Sequence, residues 1–115
     1  MKKLITCFAV AALLSGCGGT RTHDIADVTK AETIILMKAS GQKAIHSLSV
    51  TGSGGLDGNA EITLILNGGP YKTEALSGSV SFQWGGDWYS DEAEIRYSPT
   101  SVTGGNLKLR YAFNN

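Results

Sequence analysis

Alternation of apolar and polar residues constrains the fold of this chain more than any other feature of its sequence. Five segments after residue 44 place an apolar side chain at every second position. The apolar positions are Leu48 and Val50; Ile62, Leu64 and Leu66; Val80, Phe82 and Trp84; Ala93, Ile95 and Tyr97; and Leu107, Leu109, Tyr111 and Phe113. Because successive side chains of a strand point to opposite faces, the pattern predicts antiparallel strands that cover one core. A shorter strand is predicted over 71–76.

Pairs of glycines separate the alternating segments. The pairs are Gly54-Gly55, Gly68-Gly69, Gly85-Gly86 and Gly104-Gly105. Glycine reaches positive φ without a Cβ clash, which tight hairpins need, and the clearest predicted turn is Asn67-Gly68-Gly69-Pro70. Strands of this length and spacing predict a mainly β fold, either a small antiparallel β-sandwich or a partly open barrel. The favoured prediction is the sandwich, with about six strands.

The segment 24–39 is predicted to be one N-terminal α-helix. Its apolar residues at helical spacing are Ile25, Val28, Ala31 and Ile35. Asp24 is placed to cap the first turn of this helix, and Gly41 is placed to end it. A buried strand from Thr33 to Met37 is the alternative, because residues 34–37 form a continuous apolar run. The helix is the favoured prediction.

Residues 1–16 form a leader that is first positive and then apolar. Lys2 and Lys3 precede an apolar stretch from residue 4 to residue 14, which is the length of a signal-peptide core and too short to span a membrane. The stretch ends in Leu14-Ser15-Gly16-Cys17, which resembles the lipobox of bacterial lipoprotein precursors. The resemblance implies that Cys17 receives a diacylglycerol, that residues 1–16 are removed, and that the new amino group is acylated with a fatty acid such as palmitate. An ordinary secretory signal with an incidental Cys17 is the alternative.

The resemblance also implies a domain organisation and a location. Residues 1–16 are the signal peptide, 17–23 are the lipidated N-terminus with a short tether, and 24–115 are a single domain. In this family an Asp directly after the acylated Cys retains the protein at the inner membrane. Gly18 stands at that position here, so the expected location is the outer membrane, with the domain in the periplasm or at the cell surface. Several acyl chains together give stable anchoring.

Removal of the leader changes the charge of the chain. The 115-residue precursor is formally neutral, whereas residues 17–115 keep eight basic and ten acidic side chains, a net charge of −2. A negative domain argues against nucleic acid as a partner. Cys7 leaves with the leader and Cys17 is consumed by lipid, which excludes thiol catalysis and cysteine-based zinc sites in the mature domain.

Aromatic residues near position 88 suggest a binding surface. Trp84 shares the parity of the buried face and is predicted in the core, whereas Trp88 would face solvent in an unbroken strand. Such a strand would bury Asp91, so a bulge or a turn is predicted near Ser90 and Asp91. Aromatic side chains stack on sugar rings in many binding modules. The candidate ligand-binding residues are Trp88, Tyr89 and Tyr71.

Acidic residues in the same region suggest a calcium site as a further possibility. Calcium binds six to eight oxygen ligands, mainly carboxylates and loop carbonyls. Asp87, Asp91 and Glu92 are candidate metal ligands, joined by Asp57 if the two loops meet. No other cofactor is predicted.

The sequence favours a non-catalytic function. His23 and His46 are the histidines of the mature chain, and neither belongs to a recognisable catalytic motif. The predicted function is a lipid-anchored cell-envelope protein with a binding or structural role, whose partner is an envelope protein or a glycan. A glycan-binding module with exposed aromatics is the alternative, followed by a small hydrolase.

Overall fold

A computed structural model describes residues 19–115, so the leader, the lipobox and Cys17 lie outside the described residues. The described chain is mainly β and contains six strands. They are β1 (Arg21–Asp24), β2 (Glu32–Met37), β3 (Ser47–Leu66), β4 (Gly69–Asp87), β5 (Glu92–Pro99) and β6 (Gly104–Asn114). All strand pairs are antiparallel, which confirms the predicted sheet type and strand number. Between residues 19 and 115 there is no helix with the length and apolar character needed to cross a membrane.

β3 and β4 form a long hairpin, in which β3 is central to the sheet and β4 lies at its edge. Their pairing runs from Ser47 opposite Asp87 to Leu66 opposite Gly69. At the tip, Asn67 and Gly68 both have positive φ, 53° and 80°. A two-residue type I′ turn requires positive φ at both central positions. The turn predicted over 67–70 is therefore confirmed.

Two strands share the other edge of β3. Its first part, 47–57, pairs with β6, and its second part, 60–65, pairs with β5. β1 extends the sheet beyond β6, and β2 extends it beyond β5. Each part of the long hairpin therefore belongs to its own four-stranded section, β4-β3-β6-β1 or β4-β3-β5-β2.

A bend in β3 brings the two sections face to face. The register with β4 shifts between Leu56 and Asn59, where a β-bulge curves the strand. A straight strand would place Leu48 and Leu64 about 53 Å apart. Both nevertheless line one small cavity together with Trp84. The strand therefore folds back at the bulge, and its two ends meet at the opposite end of the molecule. We call the end opposite the bulge the open end.

Both sections contribute to one hydrophobic core. The bulge inserts two residues, so even-numbered side chains of β3 stay on the buried face on both sides of the bend. Trp84 is buried, as the alternation predicts. The largest fully buried side chains are Leu36, Val50, Ile62, Ile95, Tyr97, Leu107 and Leu109.

The predicted N-terminal helix is wrong. The structure has β2 over Glu32–Met37, close to the strand that the sequence offers as the alternative over 33–37. Ile34 is buried and Ile35 is exposed, so the segment follows the period of a strand. Pairing with β5 supplies the hydrogen bonds that decide between the two structures.

The helical spacing of the first apolar residues has a different cause. Ile25 and Val28 are buried in the connection between β1 and β2, whereas Ala31 is exposed. Tertiary packing of a loop therefore places two apolar residues three positions apart without a helix.

The six strands divide the chain differently from the predicted six. The segments predicted around 48–50 and 62–66 are two parts of β3, and those at 71–76 and 80–84 are two parts of β4. Gly54-Gly55 and Gly85-Gly86 therefore lie inside strands. β1 and β2, which the favoured prediction lacked, restore the number to six.

β1 begins inside the predicted tether. Residues 21–23 pair with β6, and His23 Nε2 lies 3.0 Å from Glu32 Oε2 at the end of β2 that is far from the open end. Residues 18–20 are therefore all that separates Cys17 from the sheet.

Tyr97 fixes the connection between β1 and β2 to the core. Its side chain is buried, and its hydroxyl donates a hydrogen bond of 2.7 Å to the Val28 carbonyl. Burial raises the pKa of Tyr97 above its ordinary value of 10.0, and the Asp27 carboxylate adds to the rise.

We expect Tyr97→Phe to lower the free energy of unfolding by about 1–2 kcal/mol at pH 8, because the Val28 carbonyl loses its buried donor.

The pH dependence tests this assignment. A raised pKa in the folded state stabilises the fold below pH 10, and this contribution is lost as the pH rises through the folded-state pKa. The stability difference between wild type and Tyr97→Phe should therefore shrink between pH 8 and pH 11 in urea titrations. A difference that stays constant over this range would contradict a buried tyrosine hydroxyl at this position.

Candidate functional site

The open end of the molecule carries the candidate site. It brings together the end of β2, the tip of the β3–β4 hairpin and the connection between β4 and β5. We call this surface the rim and define it as residues 35–38, 66–71 and 87–92. The bulge in β3 lies at the other end, so the bend of the long hairpin is what assembles the rim.

Trp88 closes the open end between the two sections of the sheet. Its side chain is 5% exposed, and its indole Nε1–H donates a hydrogen bond of 3.0 Å to the Glu92 carbonyl. Its backbone N–H donates to the His46 carbonyl at 3.1 Å, which ties the rim to the start of β3. Aromatic side chains of this size contribute strongly to packing when their polar atom is satisfied, as it is here.

Trp88 does not take the solvent-facing position that an unbroken strand would give it. β4 ends at Asp87 and β5 begins at Glu92, so residues 88–91 form a connection in which strand parity does not apply. The break predicted near Ser90 and Asp91, as a bulge or a turn, is a four-residue loop. Asp91 is exposed, which removes the conflict that the bulge was meant to resolve.

Tyr71 and Tyr89 present their rings to solvent beside Trp88. Their side chains are 49% and 72% exposed, and all three aromatics line one cleft of about 440 Å³. The His46 ring meets the Tyr89 ring edge-on with 6.1 Å between centroids, and Lys72 Nζ lies 5.1 Å from the Tyr71 centroid. The structure therefore brings the three predicted ligand-binding residues together, with Trp88 as a wall and the two tyrosines as accessible faces.

A second cleft adjoins the first and shares Leu66, Asn67, Trp88 and Ser90 with it. Its volume is about 380 Å³. Ile35 and Ile65 supply apolar walls, while Glu92 and Glu94 supply acidic ones. The two clefts form a continuous surface around the hairpin tip, with apolar and acidic walls side by side.

Sequence reasoning missed the apolar residues of the rim. Leu66 is predicted to face the core but is 39% exposed, because the register with β4 shifts between Leu64 and Ile65 and Ile65 becomes buried instead. Ile35 and Met37 were assigned to a helix, although their alternation with Ile34 and Leu36 was the signal that identifies them as outward-facing strand residues.

The candidate calcium ligands lie in two places. Asp87, Asp91 and Glu92 belong to the rim, whereas Asp57 pairs with Gly104 at the bend. The condition for Asp57 to join the rim carboxylates, that the two loops meet, is therefore not fulfilled, and Asp91 Oδ1 lies 3.2 Å from Lys38 Nζ. Within residues 19–115 no three histidine, cysteine or acidic side chains lie close enough together to hold a metal ion. Calcium binding by the rim carboxylates stays a prediction.

Comparison with protein-family models gives no match to this chain, and comparison with curated proteins gives none either. The functional class proposed below therefore depends on the leader sequence and on the geometry of the rim.

Proposed function

We propose that the chain is a lipid-anchored protein of the bacterial cell envelope with a non-catalytic binding or structural role. The observation that carries the proposal is the order of features at the N-terminus: Lys2-Lys3, an apolar stretch, and Leu14-Ser15-Gly16-Cys17. The two small residues before the cleavage position, Ser15 and Gly16, suit an extended peptide in a protease cleft. The thiol of Cys17 is the group able to form a thioether with lipid.

The arrangement of the domain supports an anchor at this position. β1 starts four residues after Cys17, so the first paired residue, Arg21, lies within about 14 Å of the lipid-bearing residue even in a fully extended chain. Such a domain, which we interpret as a small β-sandwich, is held close to the membrane surface. Gly18 in place of an Asp favours the outer membrane.

Replacement of each cysteine by serine, one at a time, tests the lipid anchor. In the full chain expressed in an envelope-forming bacterial host, Cys17→Ser should abolish incorporation of an alkyne-labelled palmitate and leave the leader uncleaved. Cys7→Ser is the matched control, because Cys7 lies within the apolar leader, and it should retain both labelling and cleavage. Equal labelling of Cys17→Ser and wild type would contradict the proposal, and so would loss of labelling in Cys7→Ser alone.

A glycan-binding module is the second candidate, and the exposed pair Tyr71 and Tyr89 favours it. Both rings face one cleft, and Asp87 and Ser90 also line it with a carboxylate and a hydroxyl. Ring stacking with a few polar groups beside it is the usual form of a sugar site. Retention of the purified domain on a glycan array would support this candidate.

A further inference from the structure

Exposed apolar side chains are concentrated on the rim. Among residues 19–115, every large hydrophobic residue with a highly exposed side chain belongs to it. These residues are Ile35, Met37, Leu66, Tyr71 and Tyr89. Large apolar side chains gathered at one end of a small domain mark a surface that meets another apolar phase or partner.

The N-terminus enters the fold at the same surface. Arg21, the first residue of β1, donates a hydrogen bond of 3.0 Å from Nη1 to the carbonyl of Met37 on the rim. It pairs with Tyr111 near the end of β6, and its guanidinium lies 5.9 Å from the Tyr111 centroid. From there β1 runs away from the rim, so the chain before Arg21 leaves the domain on the rim side.

The length of that chain brings the rim close to any lipid on Cys17. Four peptide units span at most about 14 Å. Each headgroup layer of a bilayer is about 5–8 Å thick. A lipid on Cys17 therefore holds Arg21, and with it the edge of the rim at Met37, within reach of the headgroup layer. This favours an orientation in which the rim faces the membrane.

We infer that the rim rests in the headgroup interface of the bilayer. Tyr71 and Tyr89 are its interfacial anchors, beside Leu66 at the tip of the β3–β4 hairpin. The inference rests on the proposed lipidation of Cys17. Tyrosine suits this position because its ring enters the apolar boundary while its hydroxyl stays hydrated.

The charges of the rim indicate which lipids it accepts. Lys38 is the basic residue of the rim and pairs with Asp91 at 3.2 Å, while Asp87 and Glu92 add two further carboxylates, so the rim as defined above is acidic rather than basic. The domain itself is mildly acidic. Contact with the bilayer therefore depends on apolar and aromatic groups, and we expect it in zwitterionic vesicles without anionic lipid.

Site-directed spin labelling of the lipidated protein tests the inference. The full chain is expressed with its leader, purified in detergent and reconstituted into phosphatidylcholine vesicles. One variant carries Ser90→Cys, an exposed rim position next to Tyr89 that leaves both tyrosines in place, and the matched control carries Thr100→Cys, an exposed position in the loop beside the bend. Neither native cysteine competes for the label, because Cys7 is removed and the sulfur of Cys17 is a thioether. Collision rates with oxygen and with a water-soluble nickel complex are compared at both positions.

The expected result is a label at position 90 that gains oxygen access and loses nickel access severalfold on vesicles, while the label at position 100 stays in water. If both labels stay in water while the protein floats with the vesicles, the inference is overturned and the lipid anchor stands. If the protein carries no lipid and does not float, the proposed function fails and the inference falls with it. A label at position 90 that stays in water but becomes immobilised by added oligosaccharide would overturn the inference in favour of the glycan site.

Discussion

Replacing Gly58 by alanine is expected to lower the free energy of unfolding by about 3 kcal/mol or more, because two separate costs add at this position. Its φ is 129°, a conformation that L side chains rarely adopt. A Cβ built there would lie 1.8 Å from the Ser101 carbonyl oxygen. The loop that contains this carbonyl is fixed by two hydrogen bonds, because the backbone N–H groups of Thr100 and Ser101 both donate to the Asn59 carbonyl. Relief of the clash therefore requires movement of the whole connection between β5 and β6.

Gly55→Ala is the matched control for this prediction. It lies in the same bend, has no positive φ, and its added Cβ would meet the Gly78 carbonyl oxygen at 3.7 Å, an ordinary contact. We expect this variant to unfold within about 1 kcal/mol of wild type. Urea titrations followed by tryptophan emission would measure both changes. Equal midpoints for the two variants would contradict the bend at Gly58.

Gly58 also shows why the sequence predicted the strands better than their connections. Alternation reports which face of a strand is buried, and it is the same on both sides of a two-residue bulge. Leu48 and Ile62 were therefore placed correctly on the buried face, while the continuity of β3 between them was missed. Glycine pairs mark either a turn or a bend within a strand, and only the pairing partners decide which. Gly68-Gly69 lies at a turn, whereas Gly54-Gly55 lies at a bend.

The sequence predicted which aromatic residues belong to the candidate site. It did not predict how exposed each side chain is or how the residues come together. Tyr71 and Tyr89 come together because β3 folds back, and the sequence offered no measure of that fold. Trp88 lies in a connection, where the parity of the preceding strand carries no information about side-chain direction. Asp57 was grouped with Asp87 on composition alone, although the bend places it at the other end of the molecule.

Replacing Trp88 by alanine is expected to lower the free energy of unfolding by about 3–5 kcal/mol, the usual cost of removing a buried tryptophan. The change would open a void between the two sections of the sheet beside Leu48, Leu64 and Trp84, which already line a small cavity with Trp88. It would also leave the Glu92 carbonyl without the indole donor. The void cannot close without movement of the hairpin tip, because Trp88 forms a wall of both clefts of the rim.

Tyr89→Ala separates the packing role of Trp88 from a surface role of the rim. Its ring is 72% exposed, so its removal should change the free energy of unfolding by no more than about 0.5 kcal/mol. Any contact of the rim with lipid or glycan should weaken in Tyr89→Ala although its thermal midpoint is unchanged. Trp88→Ala should instead lose stability in solution, with no membrane or ligand present. Similar denaturation midpoints for the two variants would mean that Trp88 does not seal the open end. The Trp88 side chain would then be accessible to solvent in the aromatic cleft.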